Sequence, residues 1–399
     1  MTRPLRIGLI VQGGRNWMGG IEYIKNIIFA LGSLPLDVRS TFEVRLICAK
    51  DLESVQSEVS AYVRNTYFFD DAQVPQSLPG LIRWGISKAV FGQGNPTLIH
   101  ALNQADLDFA YPSLARLRWT RHFRSAAWVP DCQHKYLPQL FTHEDIEGRD
   151  RFFAFIAKHA SVVVFSSKTA ETDFKTFFRK STYKSEILSF RVSPLPEWYR
   201  ADPLAVQQAY NLPDRFLLVS NQFWQHKNHA VIFKALKILQ GQGVHPAIVC
   251  TGCLYDYRQP SFLDETLQTV HILGLANQVY LLGVVKRLDM ISLMRRALAV
   301  VQPSLFEGWS TVVEEARSLG KPIILSDIPV HREQDPPHST FFVPVSAEHL
   351  AIALADAWQR LTPGPHPIQE AIARDAGLPE LQAFGHRFLQ IARGGHTPQ

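Results

Sequence analysis

The sequence predicts an α/β protein of two domains, each built around a parallel sheet. Three observations carry this. The chain has 399 residues, and a single core rarely grows past roughly 250–300 residues before it splits. Short apolar runs alternate with helical patterns of about 10–15 residues, the rhythm of parallel strands joined by crossover helices. Pro194, Pro196, Pro203 and Pro213 punctuate a stretch that divides two such rhythms. The expected domains are 1–195 and 196–368. A helical segment, 369–399, follows the break Thr362-Pro363-Gly364-Pro365-His366-Pro367 and is expected to pack back on the first domain.

The elements follow in order. Leu5–Val11 is an apolar run suited to a strand buried on both faces. Gly13-Gly14 and Gly19-Gly20 form a glycine-rich loop, after which Ile21, Ile24, Ile27, Ile28 and Leu31 recur at helical spacing. Val44–Cys48, Thr97–Ala101, Ala126–Val129 and Ser161–Phe165 read as further strands. In the second half, strands read at Phe216–Ser220, Ala247–Thr251, Val279–Leu282, Ala299–Gln302, Pro322–Ser326 and Phe341–Val343. Helical patterns lie between them, near His229–Leu239, Phe262–Leu273, Leu288–Arg296, Thr311–Leu319 and Ala347–Arg360.

Composition narrows the class. Apolar residues at 46% and charged residues at 19% rule out wholesale disorder. Four cysteines in so long a chain make no disulfide framework, and Cys250-x-x-Cys253 lacks a second pair to complete a zinc site. The N-terminal apolar run is too short for a signal-peptide core, and no run reaches the roughly 18 apolar residues of a membrane helix. A cytoplasmic protein is expected. The net charge of +5 is lopsided. Residues 1–200 hold 25 Lys/Arg against 19 Asp/Glu, whereas residues 201–399 hold 16 against 17. So mild an excess does not indicate nucleic acid.

Two constellations carry chemistry. In Gln302-Pro303-Ser304-Leu305-Phe306-Glu307-Gly308-Trp309-Ser310-Thr311, a buried strand runs through a loop into a helix, with Glu314 and Glu315 in its first turns. A helix N-terminus suits a phosphate, and carboxylates suit sugar hydroxyls. Thr311-x-x-Glu314 fits a capping box, leaving Glu307 and Glu315 for a ligand. From spacing alone, these two fit a solvated loop and a surface helix equally well. The second constellation, Ser220 to His229, follows the first strand of the second domain and places Lys227 to neutralise a diphosphate. His226 and His229 there give no metal spacing. Asp106-x-Asp108 matches a short metal motif of other transferases, too short to carry weight.

At these residues the chain resembles the retaining glycosyltransferases of family 4. Glu307 and Glu315 reproduce their E-x7-E motif, the loop ending at Lys227 looks like their phosphate loop, and Gly19-Gly20 looks like their N-terminal glycine loop. The resemblance implies a GT-B architecture, two Rossmann-like domains facing across a cleft, and a nucleotide-sugar donor with no metal or other cofactor. It implies that Glu315 binds the ribose and Glu307 the donor sugar. Lys227, with N–H groups among Gly308, Trp309, Ser310 and Thr311, would hold the diphosphate. Gly19 and Gly20 would let the backbone approach it, and Val284 and Val285 would meet the base. Two departures stand out. Gln222 occupies a place where the family often has an Arg, and Asp131 and His134 stand near, without matching, the family's His in the first domain.

The expected acceptor is a glycan, a lipid-linked molecule or another hydroxyl compound, carried by the basic first half. The stretch from Leu114 to Arg124, and Phe174, Phe177 and Phe178 interleaved with Lys175, Arg179 and Lys180, read as basic amphipathic segments suited to a membrane surface. A solvated face over an ordinary core is the plainer reading of both. An epimerase-like sugar-nucleotide enzyme and a non-catalytic sugar-nucleotide-binding protein are the alternatives.

Overall fold

The computed structural model describes residues 3–11, 18–70, 95–113, 123–179, 182–256 and 258–394. The chain divides into two units. One comprises residues 1–131, 149–193 and 379–399; the other comprises 132–148 and 194–378. The expected boundary near 195 thus misses one excursion, because residues 132–148 pack with the later unit. The last helix, Pro367–Arg393, begins two residues before the expected segment and contributes to both units, changing over at Pro379.

In the first unit, five parallel strands lie in the order β3(Asn65–Phe69), β2(Phe42–Ala49), β1(Leu5–Val11), β4(Phe109–Tyr111), β5(Arg124–Ser125). A second parallel sheet holds β6(Ala127–Val129), β7(Val162–Phe165) and β8(Lys184–Ile187). Ile7, Leu9, Leu46 and Ile47 are fully buried, as expected of strands covered on both faces. The helix Met18–Gly32 lays Ile24, Ile27, Ile28 and Leu31 into the same core. Far along the chain, Phe388 packs edge-on to Phe109 and Tyr111, at 6.1 and 5.4 Å between ring centres.

Three sequence expectations change here. Thr97–Ala101 is helical, within Pro96–Gln104. The Asn95 side chain accepts the N–H groups of Thr97 and Leu98, and Pro96 sits at the first helical position, so local start signals outweigh the apolar run. Gly19 and Gly20 lie in the first turn of the helix that opens at Met18, not in a loop before it. Phe174 is buried in an aromatic cluster with Phe153, Phe165, Phe178 and Tyr183, which makes that stripe core and leaves only Phe177 substantially exposed. Most of the other basic stretch, residues 114–122, lies outside the described residues, as does the Gly13-Gly14 pair.

The second unit is a six-stranded parallel sheet. Its strands, in chain order, are β9(Leu217–Ser220), β10(Ile248–Thr251), β11(Val279–Gly283), β12(Val300–Gln302), β13(Ile323–Ser326) and β14(Ser339–Phe342). Their spatial order is β11-β10-β9-β12-β13-β14, the doubly wound order of a Rossmann-type sheet. Leu217, Val219, Ile248 and Val301 fill its core with Ile232, Leu236 and Leu354 from the covering helices. Gly252 ends β10 at φ +126°, where an added Cβ would lie 2.3 Å from the Asn221 carbonyl oxygen. Glycine is required there by both backbone angle and space.

Candidate donor site

The site lies where the winding of the second sheet reverses. From β9 the chain builds outward through β10 and β11, then returns to place β12 on the other side of β9. The loops leaving the carboxyl ends of β9 and β12 therefore diverge, and ligands bind in the crevice between such loops. These loops carry Lys227 and Glu307. The Leu305 N–H donates to the His226 carbonyl at 2.8 Å, joining the two loops through their backbones.

Glu307 is the electrostatic centre. Its Oε1 receives Lys227 Nζ at 2.6 Å, Ser304 Oγ at 2.7 Å and Gln302 Nε2 at 2.9 Å. Its Oε2 has no hydrogen-bond partner among the described residues. Burial alone would raise this carboxyl, but the Lys227 ammonium beside it holds it down at about 2. His226 and His331 add little at neutral pH, because burial pushes both rings below their ordinary range and keeps them uncharged. The solvated-loop reading of Glu307 is thereby set aside.

Gln302 organises the floor. It is fully buried at the end of β12, and its Oε1 accepts from Asn221 Nδ2 at 2.8 Å. Its Nε2 also lies 3.2 Å from both Ser304 Oγ and Ser310 Oγ. Asn228, at φ +57°, donates from Nδ2 to the carbonyls of Pro303 and Pro344, which pins the end of the Lys227 loop.

The helix Thr311–Ser318 opens differently from the expected capping box. Ser310 is its N-cap residue and makes no side-chain cap bond. Gln334 performs the task from a distance: its Oε1 accepts the Ser310 N–H and its Nε2 donates to the Ser310 carbonyl, both at 3.1 Å. Gln334 Nε2 also donates to Glu314 Oε1 at 3.0 Å, so Glu314 is structural through Gln334, not through Thr311. The Ser310 amide is consequently committed and unavailable to a phosphate. The N–H groups of Thr311, Val312 and Val313 still lack intrahelical acceptors.

Glu315 is buried, not a surface helix residue, and its Oε1 pairs with Arg287 Nη1 at 2.5 Å. The Arg287 guanidinium lies over the Trp198 ring, 5.2 Å from its centre. Val284 is 77% exposed just beyond Gly283, with Val285 half-buried beside it. Gln222 makes no side-chain hydrogen bond among the described residues.

The division between the two units falls between Asp131 and His134. Asp131 ends the first stretch of the first unit, whereas His134 lies in the short helix Gln133–Tyr136 that groups with the second. His134 is 1% exposed, with its ring edge-on to Phe141. Tyr136, from the same helix, stacks on Phe306 at 5.4 Å, directly beside Glu307. Asp106 and Asp108 are taken up by Arg6, with Arg3 on Asp108. Among the described residues no cluster of His, Cys, Asp and Glu could hold a metal ion.

Sequence reasoning missed Gln302, Gln334, Arg287 and the excursion 132–148. Gln302 stood in the stretch from Gln302 to Thr311 as the end of its strand, but the others have no local signal: Gln334 acts 24 residues from Ser310, and Arg287 acts 28 residues from Glu315.

The fold agrees with that of known proteins. Residues 204–360 match the family model described as glycosyl transferases group 1. No curated protein matches the sequence. Among solved structures, HepE from Anabaena in complex with UDP-glucose is similar at TM-score 0.68 and 15% identity, over 97% of this chain and 100% of that one. Sucrose-phosphate synthase from Thermosynechococcus elongatus is similar at 0.66 and 16%, over 98% of both chains. WaaG, described as a glycosyltransferase involved in lipopolysaccharide biosynthesis, is similar at 0.60 and 14%, over 98% of this chain and 100% of that one. The chain thus has the GT-B fold of these glycosyltransferases, and its second unit carries the match to glycosyl transferases group 1.

Proposed function

We propose that the protein is a retaining glycosyltransferase of the family 4 type, moving a sugar from a nucleotide-sugar donor to a hydroxyl acceptor. One observation carries this reading. At the winding reversal of the second sheet, a carboxylate kept ionised by a lysine sits beside a helix N-terminus whose first N–H groups beyond Ser310 are left open. An ionised acid with one oxygen unengaged suits sugar hydroxyls, which donate to it. A lysine and open N–H groups suit a diphosphate.

This reading assigns the following roles. Glu307 receives hydroxyls of the donor sugar on Oε2, while Lys227, Ser304 and Gln302 fix Oε1. Lys227 retains ammonium protons for the diphosphate, joined by the N–H groups of Gly308, Thr311 and Val312. Glu315 receives the ribose hydroxyls, sharing its carboxylate with Arg287, and the backbone near Val284 and Val285 meets the base. As the glycosidic bond breaks, negative charge grows on the leaving diphosphate, where Lys227 and the helix terminus stabilise it. The leaving phosphate takes the acceptor proton, and no protein nucleophile or metal is invoked. The acceptor is a glycan or lipid-linked hydroxyl, with His134 and Asp131 as candidate contacts to the sugars. Peripheral attachment to the cytoplasmic face of a membrane fits a lipid-linked acceptor. Among the described residues, no helix is long and apolar enough to cross one.

A thermal-shift panel of UDP-, GDP- and ADP-sugars tests the donor. A ligand that binds only the folded state raises Tm, and Lys227→Ala removes that rise. No shift from any member refutes the reading. With a donor identified, the anomeric configuration of the product, read by NMR, decides retention.

A further inference from the structure

Residues 132–148 leave the first unit, pack in the second, and return. One aromatic contact holds them to the loop after β12, and a second reaches the loop after β9 through Arg258, which follows β10. Tyr136 stacks on Phe306 at 5.4 Å and 30°, one residue before Glu307. Phe141 lies against the Arg258 guanidinium, whose carbon is 5.5 Å from the Phe141 ring centre. The same guanidinium lies 4.9 Å from the centre of Trp224.

Trp224 is no incidental neighbour. Its carbonyl accepts the Lys227 N–H at 2.8 Å, and it precedes the single turn Gln225–Lys227. The Trp224 backbone thereby helps to place the Lys227 main chain, from which the ammonium reaches Glu307. Arg258 is itself fixed from below. Asp256, 2% exposed, accepts its Nε and Nη2 in a bidentate pair, both at 3.0 Å. A planar guanidinium whose edge is used by a carboxylate still offers its faces to aromatic rings.

We propose that Arg258 is a positioning residue that couples residues 132–148 to the diphosphate loop, so that donor binding and docking of this segment reinforce each other. The proposal rests on the donor-site reading above. When Lys227 and Glu307 are fixed by a bound nucleotide, Trp224 and Phe306 are fixed with them. Both then present settled surfaces to Phe141, through Arg258, and to Tyr136. The segment that leads back into the first unit thereby reports whether the donor site is filled. By linkage, docking of the segment strengthens nucleotide binding by the factor by which the nucleotide strengthens docking, so a change that undocks the segment weakens binding.

The test uses the full chain and whichever of UDP, GDP or ADP raises Tm most. Amide hydrogen exchange of residues 132–148 is measured with and without that nucleotide, alongside its Kd by calorimetry. In the wild type, the nucleotide slows exchange in 132–148. Arg258→Ala abolishes this protection and weakens Kd about three- to tenfold, the range of a partly desolvated cation–π contact. Arg258→Ala also strands Asp256, so Phe141→Leu serves as the second variant. It leaves the Arg258–Asp256 pair intact and is expected to give the same loss, with Phe141→Tyr restoring both readouts. A merely structural Phe141 would lower Tm in Phe141→Leu while leaving ligand-induced protection and Kd as in the wild type, and that result overturns the coupling. Absence of binding by all three nucleotides in the wild type overturns the donor reading instead.

Discussion

Replacing Glu307 by Gln removes a charge while keeping the shape, and the structure sets the size of the effect. Lys227 holds the folded carboxyl at about 2, against an ordinary value of 4.5. A shift of one unit corresponds to about 1.4 kcal/mol, so the ionised form contributes about 3 kcal/mol at pH 7. The folded value is the depressed one. The contribution is therefore complete above the unfolded value near 4.5 and lost as pH falls towards 2. At pH 3 less than half of it remains. Glu307→Gln should accordingly unfold in urea about 3 kcal/mol more easily than the wild type at pH 7, and the gap should shrink by more than half at pH 3. A gap of equal size at both pH values, or no gap at pH 7, refutes the claim that the Lys227 charge holds this carboxylate.

Three further outcomes are expected. Gly252→Ala should cost about 2–3 kcal/mol, lowering Tm by about 5–10 °C in a unit of this size, because the added Cβ meets the Asn221 carbonyl and the backbone is at φ +126°; an unchanged Tm contradicts this. Gln334→Leu should leave the buried Ser310 amide unsatisfied, at about 1–3 kcal/mol, remove one donor from Glu314, and weaken nucleotide binding as the helix start loosens. Calorimetry showing both stability and affinity intact would remove Gln334 from the site. Lys321 is buried with its Nζ on the Arg295 carbonyl, and burial pushes it down to about 7. The unfolded chain binds this proton more tightly, so stability should rise between pH 7 and about 10.5, by up to about 1.4 kcal/mol per pH unit. Lys321→Met should be more stable than the wild type at pH 6 and lack that rise; parallel pH profiles of the two proteins would exclude it.

What the sequence disclosed depended on the range of the forces involved. The strands of the second unit were legible because each is a short apolar run buried on both faces, as Leu217–Ser220 and Ile323–Ser326 are. Glu307 and Lys227 were legible as residue types following strands. Their mutual pairing was not, since it joins loops 80 residues apart. Thr97–Ala101 misled because Leu98, Ile99 and Ala101 suit a strand or a buried helix equally, and only Asn95-Pro96 distinguishes them. The capping box at Thr311 matched a local pattern that Gln334 displaces from a distant helix. Residues 132–148 carry no mark of the unit they join. Their attachment rests on rings whose partners, Phe306 and Arg258, lie more than a hundred residues on.

The last helix has a consequence for how the chain is made. Glu370 is clamped by Arg295 at 2.9 and 3.0 Å within the second unit, while Gly385 abuts the Ala30 carbonyl and Phe388 completes the ring cluster of the first. During synthesis, residues 1–193 emerge before the second unit's main body yet lack Phe388 until that body has been translated. The second unit, whose main body runs unbroken from 194 to 378, can close before them. The earlier half of the polypeptide is therefore expected to finish folding last, and a chain cut short before residue 379 to lose packing around Tyr111, far from the cut in sequence.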